Sequence, residues 1–184
     1  RAIKPWCQLI LEKLNPNFQK GEHRGIALLF PMEILFEKYV ASCLRRDIEA
    51  PWQLTTQASD KHMVNDQENL KSRFQLRPDL VISKERKNYH VLDTKWKLIS
   101  FSNSDNNFNI SQSDIYQLFA YGHKYLNGYG DMMLIYPKYH QFETPLECFY
   151  LAEELRIWAI PFCIETDKVI TGKWIERFPS LNQV

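Results

Sequence analysis

Apolar residues at positions 32, 35, 36, 39, 40, 43 and 44 recur at three- and four-residue intervals, and this spacing predicts an amphipathic helix over 32–46. Residues 5–14 (PWCQLILEKL) read as an earlier helix with Pro5 in its first turn. Residues 15–25 are polar, hold Pro16, Gly21 and Gly25, and read as a loop. The weak alternation from Trp52 to Gln57 suits a strand, whereas 58–72 is polar and reads as a hairpin tip or a mobile loop. Two further runs, 76–83 (LRPDLVIS) and 89–95 (YHVLDTK), read as strands. The short charged linker KERKN between them predicts an antiparallel hairpin. The Ser/Asn-rich stretch 100–112 is expected to be a loop. A second helix is expected over 112–126, with Ser111 as N-cap and Asp114 completing a weak capping box. Its expected packing stripe is Ile115, Leu118, Phe119 and Gly122. Residues 131–136 read as a buried strand ending at Pro137, and 155–164 as another, interrupted or ended at Pro161. The order helix, strands, helix, strand, strand predicts a mixed α/β sandwich around a central sheet.

Composition changes this picture little. The chain has 184 residues, 45% hydrophobic and 24% charged, which suits one domain with a real core and argues against disorder. A net charge of +1 supplies no basic footprint that would by itself announce nucleic-acid binding. The basic clusters at Arg45-Arg46, 84–87 and Lys95–Lys97 read as solvated faces, Lys95 apart. Cys7, Cys43, Cys148 and Cys163 form no C-x-x-C pair, which argues against a zinc knuckle or redox dithiol. Two of them lie in apolar runs as core thiols, and a reducing cytoplasm is the expected location. No run of about 18 apolar residues suggests a membrane span, and no signal peptide is visible. A chain that starts at Arg1 is expected to be a piece of a longer protein, with 1–184 forming a single domain led by a helix and loop over 1–25.

Candidate chemistry enters with Pro78-Asp79, followed thirteen residues later by Asp93-Thr94-Lys95. Alternation along a strand puts Asp93 and Lys95 on one face and Thr94 on the other, and hairpin pairing can set Asp79 beside Asp93. Two carboxylates and an ammonium at a strand end suit phosphodiester hydrolysis. Asp79, Asp93 and the Thr94 carbonyl offer oxygen ligands to Mg²⁺ or Mn²⁺. Lys95 would orient the attacking water and stabilise developing negative charge. The same residues could form an ordinary cross-strand ion pair of little worth. Their flanks, Leu-Val-Ile after Asp79 and Val-Leu before Asp93, make them charges at the ends of buried strands, which need partners. Glu37 borders the stripe of the first helix, and its neighbours Glu33 and Ala41 offer it no salt bridge, so a site role, direct or through water, is expected. Gln117 and Tyr121, four apart on the second helix, suit a wall that holds phosphate or a base edge. The histidines show no metal-binding spacing, and neither a nucleophile elbow nor a phosphate loop occurs.

Read together, LLFPMEILFEKYV (28–40), LRPDLVI (76–82), VLDTKWK (91–97), SDIYQLFAYGHKYL (113–126) and MLIYP (133–137) resemble the McrC family, nuclease subunits of McrBC modification-dependent restriction systems. The resemblance implies a restriction-endonuclease-like, PD-(D/E)XK fold. It implies a catalytic set of Asp79, Asp93 and Lys95, with Glu37 as the helix carboxylate. Gln117 and Tyr121 match a Q-x-x-x-Y motif shared with RecB-like nucleases. The implied partners are double-stranded DNA and a McrB-like AAA+ GTPase that recognises methylated DNA; the region through which such proteins stimulate that motor is expected to be missing. Pro31 stands where many relatives are acidic. Residues 138–184 carry no firm match.

Two other readings stay open. A RecB-like exonuclease on the same fold would need a DNA end. A non-catalytic DNA-binding adaptor would suit the near-neutral charge but leave the acidic and basic residues idle.

Overall fold

The computed structural model describes residues 31–66 and 71–181. The chain divides into two compact units, Arg1–Pro31 and Met32–Val184, and Pro31 apart, every described residue lies in the second. The helix expected over 5–14 and the loop over 15–25 fall outside the described residues.

Helix α1 spans Met32–Asp47 and buries Phe36, Val40, Ala41, Cys43 and Leu44. The helical spacing therefore located it correctly, but Met32 and Leu35 are exposed, so the packed part of the stripe begins at Phe36. Strands β1 (Trp52–Thr56), β4 (Leu80–Lys84), β5 (Lys87–Thr94), β6 (Gly130–Pro137), β7 (Phe149–Tyr150), β8 (Leu155–Cys163) and β9 (Lys168–Val169) form one mixed sheet. Its order is β1-β4-β5-β6-β8-β7, with β9 also pairing β8. Strands β5, β6 and β8 run parallel, and the other pairings are antiparallel.

The β4–β5 hairpin forms as expected, but its turn is tight. Glu85 and Arg86 both take positive φ, 52° and 64°, so strand pairing reaches Lys84↔Lys87. Helix α2 (Gln112–Tyr125) links the parallel strands β5 and β6. Ser111 caps it, its side chain accepting from the Asp114 amide.

Layering follows from alternation along the buried strands. Leu80, Ile82, Leu92, Met133 and Ile135 join α1 in one core cluster. Val81, Val91, Met132, Leu134 and Tyr136 join Leu118, Tyr121 and Tyr125 of α2 in the other. Gly122 lets α2 approach the sheet closely: a Cβ there would lie 2.9 Å from Leu155 Cδ1 and 3.1 Å from Met132 Cε. The α2 stripe differs from the expected one. Phe119 is exposed beside His123, and Tyr121 takes a buried place.

Three further expectations are corrected. The stretch 58–72 is no simple loop: β2 (His62–Asp66) and β3 (Lys71–Gln75) form a separate antiparallel ribbon. The span Phe101–Asn109 is 3-10 helical, not irregular. Strand β8 runs through Pro161. The Pro161 carbonyl accepts from Ile170 at 2.8 Å, which aims the missing N–H toward the β9 edge, where the partner strand has only two residues.

The unmatched C-terminal stretch completes the core, placing Trp174, Phe178 and Leu181 in the α1 cluster. Cys43 and Cys163 are buried free thiols. Among the described residues no helix is long and apolar enough to cross a membrane.

Candidate active site

The β4–β5 register pairs Leu80 with Leu92, which brings the residue before Leu80 and the residue after Leu92 to the same sheet edge. Those residues are Asp79 and Asp93. Asp93 is 1% exposed. Burial first, and then the negative charge of Asp79, push its carboxyl well above the usual carboxylate range. The Lys95 ammonium contacts Asp93 Oδ2 and opposes that shift. Asp93 and Lys95, two apart, therefore do meet as alternation requires.

Asp79 turns toward Thr94. The Thr94 hydroxyl donates to Asp79 Oδ2 at 2.8 Å and the Thr94 amide donates to the same oxygen at 2.7 Å. The reason lies in the position of Asp79. It precedes β4, where the ladder has ended, and its side chain can fold across the strand end. One Asp79 oxygen is thereby fixed by two donors.

Helix α2 supplies the wall. Lys95 Nζ donates to Gln117 Oε1 at 3.0 Å, Gln117 Nε2 donates to the Tyr121 hydroxyl at 2.7 Å, and that hydroxyl donates to the Arg77 carbonyl at 3.0 Å. The chain of bonds fixes the Gln117 amide, so its oxygen faces the ammonium. Burial and the nearby Asp93 charge push the Tyr121 phenol up to about 12, which keeps it a donor.

Glu37 approaches from the α1 side. Gln57 Nε2 donates to Glu37 Oε1 at 2.6 Å, and the Gln57 amide donates to the Asp79 carbonyl at 2.8 Å. Burial raises the Glu37 carboxyl, and the charge of Asp79 lies close enough to raise it further. All six expected side chains and Thr94 thus gather at one strand end. Asp93, Lys95, Gln117 and Tyr121 come from the α2 side and Glu37 from the α1 side.

Two residues of this network were not singled out from sequence. Asp114, read there only as a capping residue, is buried and accepts from Lys97 Nζ at 2.9 Å, with Lys95 Nζ at 3.9 Å. Its signal was present: Asp114, Gln117 and Tyr121 follow a 0, 3, 7 spacing, one helical face. Gln57 had no such signal, since nothing sets one glutamine apart in a polar stretch.

Among the described residues no group of three or more His, Cys, Asp or Glu is gathered closely enough to hold a metal ion. A hard divalent cation can bind through one or two carboxylates with the remaining positions taken by water and phosphate. Asp79 and Asp93 fit that requirement. They repel one another, and the raised Asp93 carboxyl marks a buried donor set short of positive charge.

A family model described as "McrBC 5-methylcytosine restriction system component" matches residues 1–137, which include α1, β4, β5, α2 and β6. No curated protein matches. Among solved structures, the chain is similar to one in a "refined half-complex from tetradecameric assembly of Thermococcus gammatolerans McrB AAA+ hexamers with bound McrC". That likeness has a TM-score of 0.55 at 18% identity and covers 82% of this chain and 33% of the other. This chain therefore spans about a third of the length of its structural neighbour, and at that identity the likeness concerns the fold alone. Since the family model takes in residues 1–137 of 184, including Asp79, Asp93 and both helices beside them, the chain belongs to the McrBC family of 5-methylcytosine restriction system components.

Proposed function

We propose that this chain is the DNA-cleaving domain of a McrBC-like restriction system, a divalent-metal-dependent endonuclease of the PD-(D/E)XK type acting on modified, methylated DNA. One observation carries the reading: Asp79 and Asp93 adjoin at a buried strand end with the Lys95 ammonium set on Asp93 and oriented by Gln117. A purely structural ion pair would match one carboxylate to one cation. Here Asp79 and Asp114 add negative charge around Asp93, and Glu37 lies close enough to Asp79 to feel its charge.

Asp79, Asp93 and the Thr94 carbonyl would hold Mg²⁺ or Mn²⁺, with Glu37 acting directly or through a water. The ion would supply an acidified water and charge neutralisation at the phosphate. Thr94 fixes one Asp79 oxygen with two hydrogen bonds and so sets the direction of the other. Lys95 orients the attacking water by donating to it and then stabilises charge on the phosphate oxygens. The ammonium stays aimed because Gln117, Tyr121 and the Arg77 carbonyl form an unbroken hydrogen-bonded chain behind it. Gln117 and Tyr121 would also bound the groove in which phosphate or a base edge lies.

The proposed partners are double-stranded DNA and a McrB-like AAA+ GTPase, with cleavage in the cytoplasm by the assembled complex. Covalently closed, methylated plasmid offered to that complex with Mg²⁺ and GTP tests the reading. Asp93→Asn and Lys95→Ala should each abolish linearisation. Undiminished cleavage by both variants would sink the nuclease assignment, and cleavage confined to pre-cut DNA would replace it by an exonuclease.

A further inference from the structure

The β2–β3 ribbon stands outside the main sheet, and the cleavage chemistry makes no use of it. All five residues of β3 are exposed, as are Met63 and Val64 of β2. Exposed two-stranded ribbons are poor independent structures, so this one needs an anchor. The anchor is α2. The Tyr125 hydroxyl bonds to the Ala58 carbonyl at 3.0 Å and to the Leu76 carbonyl at 3.3 Å, and the Tyr121 hydroxyl donates to the Arg77 carbonyl. The Leu76 amide donates to the Lys61 carbonyl at 2.9 Å, closing the base of the ribbon. The base is therefore held by the same tyrosine that completes the Lys95–Gln117 chain, two residues before Asp79.

Charge and shape point in one direction. Residues 60–77 hold four cations, Lys61, Lys71, Arg73 and Arg77, against Asp60, Asp66 and Glu68, and Lys61 pairs with Asp60 at 3.7 Å. Phe74 is 73% exposed and sits at a φ of 56°, a left-handed conformation costly for a bulky side chain. An exposed ring held in a strained conformation, next to Arg73, contributes nothing to the core. Two paired strands lie about 4.8 Å apart, and five residues span roughly 17 Å. A ribbon of that section enters the DNA major groove, which is about 12 Å wide.

We propose that the β2–β3 ribbon is a DNA arm. It lies along a groove of the duplex beside the Asp79–Asp93 site, with Lys71 and Arg77 contacting phosphates and Phe74 making apolar contact with the sugar or base edges. The inference rests on the nuclease reading for its choice of duplex DNA as the occupant, but its test does not depend on cleavage.

The test is fluorescence anisotropy of a labelled, methylated duplex titrated with the full-length protein in its complex, in EDTA, over a series of salt concentrations. Lys71→Ala with Arg77→Ala should weaken binding about tenfold and make the salt dependence shallower by about two counterions. Phe74→Ala keeps a Cβ and hence the same backbone strain. It should weaken binding about fivefold with the salt dependence unchanged. Thermal unfolding and gel filtration report whether each variant is folded and assembled. Folded, assembled variants that bind DNA as the parent does would overturn the proposal. So would variants that bind DNA normally but fail to assemble, which would make the ribbon a protein-docking arm. Failure of the nuclease reading itself would show elsewhere, as cleavage that survives Asp93→Asn.

Discussion

Asp93 and Asp131 are both buried aspartates on neighbouring parallel strands, yet their surroundings are opposite. Asp131 lies near the start of β6. The β6–β8 register sets Arg156 directly across from it, and Trp158 follows two residues on, facing the same way. Arg156 donates to both Asp131 oxygens at 2.8 Å, and Trp158 Nε1 adds a bond of 2.9 Å. These bonds hold the Asp131 carboxyl below its usual range despite burial. Asp93 lies near the end of β5, where burial and Asp79 push its carboxyl up and Lys95 only partly answers. A carboxylate whose partners are complete is a structural tie. One that faces a second carboxylate at a strand end is held in an uncomfortable state that folding alone does not require. Perturbed groups of that kind concentrate at functional sites.

The contrast fixes what each substitution should do. The largest expected effect is on chemistry: Asp79→Asn should lower cleavage by the assembled complex about a thousandfold while leaving the melting temperature within a few degrees. Product formation under single-turnover conditions reads this out. Next in size is Asp131→Ala, which should spare the site but leave Arg156 without its anion. A loss of about 3 kcal/mol is expected, seen as a melting temperature lower by roughly 6–12 °C. Tyr121→Phe should have an intermediate effect. The ring remains in the core, but the bonds to Gln117 and Arg77 are lost, so Lys95 is less well aimed. Cleavage should fall about tenfold, with little change in affinity for DNA.

The smallest effect is in the pH dependence of stability, measured without metal. Asp131 is depressed, so its contribution is present above the ordinary value of 3.8 and lost as pH falls through its folded value. Asp93 is raised, so the sign reverses. Stability is full below 3.8 and declines as pH rises toward and through its folded value. Asp93→Asn should remove that decline and raise the melting temperature at neutral pH by roughly 1–4 °C, about 0.5–1 kcal/mol. Urea or thermal melts of both proteins across the acid range would show it.

How much of this could be read from the residues depended on how local the cause was. Helical spacing sufficed for α1 and α2, and strand alternation for the meeting of Asp93 with Lys95, because each pattern lies within one element. The β2–β3 ribbon was hidden because a strand exposed on both faces has no apolar alternation to betray it. Phe119 and Tyr121 exchanged their expected places because periodicity gives a helix face but not which polar tip finds a partner beneath it. Gln57 and the Asp79–Thr94 bonds depend on chain folding across a strand end, where no repeat applies. Asp131 escaped notice for the same reason: Arg156 and Trp158 reach it through register, not through sequence spacing.

The most direct measurement is Mn²⁺ binding, followed by electron paramagnetic resonance, to the parent and to two variants held below their melting temperatures. If the Asp79–Asp93 pair is the cation site of a nuclease, the parent should take up the ion, Asp131→Asn should do so equally, and Asp93→Asn should lose it. Mn²⁺ uptake by Asp93→Asn equal to that of the parent would contradict the assignment.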